Sequence, residues 1–149
     1  MVGNAHSPFG LGLSKMGPMA TTGTIIRGIG QVALGAALLT AGIGHLTRSR
    51  KEFQAQVPTW FPVEPDKVVV GSGVVEIGLG TALVATWKQP ARRRLGALVA
   101  AFFVAVFPGN IAQLVEHRDA FGLDTDRKRA LRLIGQPVLV AWAWASTRR

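Results

Sequence analysis

The 149-residue sequence contains no cysteine, which excludes disulfides, thiolate metal sites and any sulfur relay through its own thiols. Tyrosine is absent as well, and acidic residues are scarce: 8 Asp and Glu stand against 17 Lys and Arg, for a formal net charge of +9. No HExxH, GxSxG, Walker sequence or usable dinucleotide fingerprint occurs, so no common catalytic motif anchors an activity. Nearly half of the chain, 48%, is hydrophobic, too apolar and too poor in acids for an ordinary soluble domain.

The charges that are present fall in short blocks between long apolar stretches, "TIIRGIGQVALGAALLTAGIGHL", "VVVGSGVVEIGLGTALVATW", "LGALVAAFFVAVFPGNIAQLV" and "ALRLIGQPVLVAWAWAS". Each is close to the ~20 residues that carry an α-helix across a hydrocarbon core of ~30 Å. A soluble bundle would show polar faces every three or four residues, and the second and third stretches have none. The expected fold is therefore all-α, a four-transmembrane-helix bundle with helices at about 24–47, 68–87, 94–115 and 130–146. The fourth is the weakest, since Arg132, Gln136 and Pro137 leave only "VLVAWAWA" uninterrupted. Residues 1–23, rich in Gly, Pro and Met without helical period, are expected to be a flexible tail. The basic residues lie in loops and near the termini, where they set topology and meet anionic membrane lipid; no nucleic-acid partner is expected.

Four spans put both termini on the side of the 88–94 loop. Lys and Arg number 8 on that side and 9 on the other, so the raw count does not orient the chain. The loop "KQPARRR" concentrates four positives, and seven of the eight acidic residues lie opposite it, which favours cytoplasmic termini in a bacterial inner membrane.

Polar residues inside the apolar stretches converge by depth. His45 ends the first helix, and Glu76 falls about 12 Å below the start of the second. Asn110 lies about 6 Å from the end of the third, while Arg132 and Gln136 open the fourth. All five belong to the half facing away from "KQPARRR". Helical phase agrees: Gln31, Gly35, Leu38, Gly42 and His45 share a stripe, as do Ser72, Gly73, Glu76 and Gly80, then Asn110, Gln113 and His117, then Arg132 and Gln136. Small residues on such faces permit close helix contact. A carboxylate facing lipid at that depth costs several kcal/mol, so Glu76 is expected to face a partner, a cavity or a bound group, or to hold a proton. His45 and Arg132 are the available cations, and Asn110 and Gln136 can donate amide hydrogens.

Structural alternatives stand beside these roles. Gln136 beside Pro137 and Asn110 beside Pro108 can serve backbone groups that a proline frees, and Arg132 is near enough to the interface to snorkel. Trp60, Trp87, Trp142 and Trp144 read as interface anchors or lipid-facing rings. His45, His117 and Glu76 offer metal-ligand chemistry, but their spacing matches no template and no metal is assigned. Haem is rejected because both histidines lie near the surface.

"AGIGHLTRSRKEF" followed by "VPTWFP", then "VVVGSGVVEIGLGTALV", "VFPGNIAQ" and "LRLIGQPVLVAWAWAS" resemble the DoxX-like family of small four-helix bacterial membrane proteins, over roughly residues 25–146. The resemblance implies a four-helix membrane bundle and falls on His45, Glu76, Asn110 and Gln136. It also implies a setting in membrane redox systems, since the family includes a subunit of thiosulfate:quinone oxidoreductase. Without cysteine, no persulfide can be carried on this chain. The functional expectation is a membrane protein in or beside a redox or oxidative-stress system, at most a subunit of a quinone-linked oxidoreductase. Glu76 would act as proton acceptor, His45 as its proton partner, Arg132 as countercharge, and Asn110 and Gln136 as orienting groups around a quinone-like headgroup. A membrane or peripheral redox protein is the expected partner, and a homo-oligomer is allowed. The alternatives are a small oligomeric transporter, channel or lipid-binding protein, and a structural subunit of a larger membrane complex.

Overall fold

A computed structural model describes residues 22–148, so most of the expected tail at 1–23 lies outside the described residues. Among the described residues there are five helices and no strand: α1 (Thr22–Leu46), α2 (Arg50–Gln54), α3 (Pro65–Ala85), α4 (Ala91–Val115) and α5 (Asp126–Thr147). The chain is all-helical, and α1, α3 and α4 are each long and apolar enough to cross a membrane. α5 is as long, but Arg127, Lys128, Arg129 and Arg132 crowd its first two turns and leave its apolar stretch short.

The long helices begin two to four residues before the expected positions because local chemistry starts them there. Pro65 occupies the first turn of α3, where a missing N–H costs nothing. The Thr125 hydroxyl accepts from the Lys128 N–H and caps α5. α2 was not expected: it is five residues folded from the 47–67 connection. Pro108 and Pro137 sit inside α4 and α5 without ending them.

The burial pattern is inverted relative to a water-soluble bundle. Large apolar side chains such as Ile26, Ile29, Val74, Leu98, Val104 and Ile111 point outward, while Gln31, Glu76, Arg92, Asn110 and Gln113 are buried. Outward apolar surface and inward polar groups suit a hydrocarbon surround. Between them lies a core of Leu34, Leu38, Leu79, Leu83, Val99, Phe103 and Ala143.

Glycine sets the tightest contact. A Cβ at Gly42 would stand 2.7 Å from the Gly73 carbonyl oxygen, and one at Gly80 2.7 Å from that of Gly35. The two glycine pairs let α1 and α3 touch backbone to backbone, in antiparallel crossing. α4 packs along α5, and α5 also touches α1, whereas α3 and α4 barely meet. That seam leaves room for a cavity.

Candidate functional site

The helices place His45, Glu76, Asn110, Arg132 and Gln136 on the wall of one cavity of about 410 Å³. Its volume falls in the ~300–1,000 Å³ range of small-molecule sites. Four different long helices contribute these five side chains, and most of the remaining wall is apolar, with Leu38, Val69, Phe103, Val106 and Leu139 among it.

The α1–α3 glycine contact brings His45 and Glu76 together. A Cβ at Gly73 would lie 2.7 Å from the His45 Cβ, so only glycine there admits the imidazole so close to α3. His45 Nδ1 stands 3.1 Å from Glu76 Oε2, within ion-pair reach. The same nitrogen is 2.8 Å from the Ala41 carbonyl oxygen, a turn earlier on α1. One ring nitrogen carries at most one hydrogen, and the Ala41 contact is the shorter and the one with hydrogen-bond geometry. Glu76 Oε2 is therefore left without a donor, although the residue is buried. The His45 ring is clamped on its other side by Phe53 of α2, stacked at 3.5 Å between centroids.

Across the cavity, Asn110 is buried in α4 and its Oδ1 has no partner; Gln136 Oε1 on α5 is likewise unpaired. Arg132 reaches the Gln56 side-chain amide, whose oxygen accepts at 2.6 and 3.3 Å once the amide is turned to face it. Its guanidinium also lies 5.1 Å from the centre of the Phe121 ring. These partners are neutral, so Arg132 brings positive charge to the cavity wall.

The loops around α2 and before α5 roof this end of the bundle. The Arg50 Nε donates to Asp66 Oδ1 at 2.7 Å, and the Gln54 amide to the same oxygen at 3.0 Å, tying α2 to the start of α3. The hydrogen bond to Asp66 raises the Arg50 pKa above its ordinary value. Arg118 donates to the Val57 carbonyl at 2.9 Å, and the Phe121 N–H donates to Glu52 Oε2 at 2.8 Å. Trp60 and Phe61 line the cavity yet remain largely exposed.

His117, expected on the Asn110 stripe, lies just past the end of α4 in left-handed backbone with φ of 51°. Its exposed ring meets Asp126 at 2.9 Å instead of the cavity. Among the described residues no three His, Asp or Glu side chains converge as metal ligands. Trp142 is not a free lipid-facing ring: its Nε1–H donates to the Gly30 carbonyl at 2.9 Å and joins α5 to α1.

A second polar cluster, at the opposite end, was not expected. Arg92, expected as a loop charge, is buried in the first turn of α4. It donates through Nε to Gln31 Oε1 and through Nη2 to the Ser146 carbonyl at 2.6 Å. The Gln31 amide in turn donates to the Leu83 and Thr86 carbonyls at 2.6 and 2.8 Å, capping α3. Gln31 on the small-residue stripe was the one available signal, since a buried amide needs partners.

A family model described as Domain of unknown function (DUF8561) matches residues 34–147. The chain belongs to that family. The matched span runs from the middle of α1 to the end of α5 and contains all five cavity residues. No curated protein and no solved structure matches the chain.

Proposed function

We propose that this DUF8561 protein is a four-span protein of the bacterial cytoplasmic membrane, with α5 as the fourth span and both termini cytoplasmic. It works in or beside a membrane redox or oxidative-stress system and holds a small ligand with a quinone-like headgroup in the outer half of its bundle. The observation that carries this reading is the convergence of five polar side chains from four helices on one largely apolar cavity, with oxygens of Glu76, Asn110 and Gln136 unpaired. Buried polar groups are normally satisfied, and unsatisfied ones grouped around a cavity mark a place where a bound molecule supplies the partners. The DoxX-like resemblance supports the redox setting, and on that reading a membrane or peripheral redox protein exchanges electrons with the bound ligand.

In this scheme Glu76 accepts a proton from the ligand, and the His45 ring 3.1 Å away is the second titratable group at the site. Arg132 supplies the countercharge, while Asn110 and Gln136 orient the ring. The test is to purify the protein in lipid discs from native membrane and identify co-purifying small molecules by mass spectrometry. Wild type is expected to retain more quinone, counted with its reduced form, than Glu76→Gln and His45→Ala inserted at equal levels. A wild-type protein that carries no quinone and binds none when supplied would overturn the reading.

Trp60 and Phe61 at the cavity wall, exposed where a bilayer interface would lie, favour one second reading, a lipid-binding protein or small oligomeric transporter whose site takes a headgroup. Recovery of phospholipid in place of quinone in the same experiment would select it.

A further inference from the structure

Resting on the proposal that the cavity takes a quinone-like headgroup, we infer that it takes the ligand in its reduced, dihydroxy form, a hydroquinone, in preference to the dione. The polar atoms that face the cavity are unbalanced. Among the described residues three buried oxygens on the wall, Glu76 Oε2, Asn110 Oδ1 and Gln136 Oε1, have no donor, and Arg132 is the one Lys or Arg that lines it. Side-chain amides can turn to present NH₂ in place of oxygen, so Asn110 and Gln136 adapt to either form of the ring. Glu76 cannot adapt while ionised, because a carboxylate only accepts.

His45 does not fill the vacancy. Its Nδ1 is committed to the Ala41 carbonyl at 2.8 Å, and its ring is held in that orientation by the Phe53 stack. The donor for Glu76 must come from the ligand. A dione has two carbonyl oxygens, which accept and never donate, so seating one leaves Glu76 Oε2 without a donor. Each hydroxyl of a hydroquinone both donates and accepts: one O–H can fill Glu76 Oε2, while an oxygen accepts from Arg132 or from a turned amide. A hydrogen bond between a hydroxyl and a carboxylate is charge-assisted, and Glu76 is buried, which makes it the residue that sets the preference.

The experiment measures binding of a short-chain benzoquinone and of its hydroquinone to the purified protein in lipid discs, under anaerobic conditions with the redox state held by dithionite or ferricyanide. The wild type is expected to bind the reduced form at least about tenfold tighter, the ratio that one unmade hydrogen bond to a charged group would produce. In Glu76→Gln, whose amide can donate as well as accept, that ratio should collapse toward one. Equal binding of both forms by wild type, or tighter binding of the dione, overturns the inference and leaves the quinone site standing. Binding of neither form overturns the site itself. An undiminished ratio in a folded Glu76→Gln protein overturns the assignment of the preference to this carboxylate. The wild-type ratio needs no variant, so the inference stays testable if Glu76→Gln fails to insert.

Discussion

At the scale of single residues, two buried ionisable groups, Glu76 in the middle of α3 and Arg92 in the first turn of α4, have opposite hydrogen-bond status. Arg92 donates to Gln31 and to the Ser146 carbonyl, so it acts as a strut. Glu76 keeps an empty oxygen beside a cavity. Removing a satisfied group strands its partners, at about 1–3 kcal/mol for each buried acceptor left unpaired, whereas removing an unsatisfied carboxylate relieves a cost. Arg92→Met is therefore expected to lower the thermal unfolding midpoint in detergent while leaving ligand affinity alone. Glu76→Gln is expected to hold or raise the midpoint of the ligand-free protein and weaken the ligand. Thermal scans of both variants with and without ligand check the pair, and a Glu76→Gln midpoint well below wild type would assign that residue to holding the bundle together.

At the scale of helices, α1 and α3 depend on glycine where their backbones touch and not elsewhere. A Cβ at Gly42 or Gly80 collides with a carbonyl oxygen of the facing helix, whereas one at Gly71 or Gly78 meets open space. Gly42→Ala is expected to destabilise the protein by about 1–3 kcal/mol through forced separation of the helices, and to weaken the ligand because His45 and Glu76 part. Gly78→Ala should be neutral or stabilising by up to about 1 kcal/mol, the ordinary gain of alanine in a helix. Denaturation midpoints of the two alanine variants distinguish a contact glycine from an incidental one.

The same elements show what the sequence could and could not convey. Apolar run length and helical phase sufficed to place α1, α3 and α4 and the inward faces of Gln31, Gly35, Glu76 and Asn110, because both signals are local and periodic. α2 was illegible: a five-residue helix has no period to detect, and its contact with the cavity, Phe53 on His45, is made only once the chain doubles back. His117 continued the stripe of α4 by count, but the helix ends at Val115 and the backbone turns it outward. Arg92 looked like a topology signal because nothing in its neighbourhood reveals that Gln31 and Ser146, far away in sequence, stand ready to receive it.

At the scale of the whole molecule, the proposed orientation is open to a clean test because the chain has no cysteine to remove. Single substitutions Arg93→Cys, in the first turn of α4, and Glu64→Cys, just before α3, place thiols at opposite ends of the bundle on exposed residues. With both termini cytoplasmic, a membrane-impermeant maleimide applied to intact spheroplasts should label the thiol at position 64 and not the one at position 93. The reverse pattern would invert the topology, and labelling of both would break the four-span arrangement.

The glycine contacts of α1 with α3 and the close packing of α4 along α5 divide the protein into two covers of a book, hinged where α5 meets α1 and parted at the seam between α3 and α4. The polar residues divide the same way. His45 and Glu76 belong to one cover, while Asn110, Arg132 and Gln136 belong to the other. Nothing bound only to one cover can resist their opening; a molecule that spans the fold from Glu76 to Arg132 acts as a clasp. On the proposed function, the bound ligand would thus tie the two covers across the seam between α3 and α4.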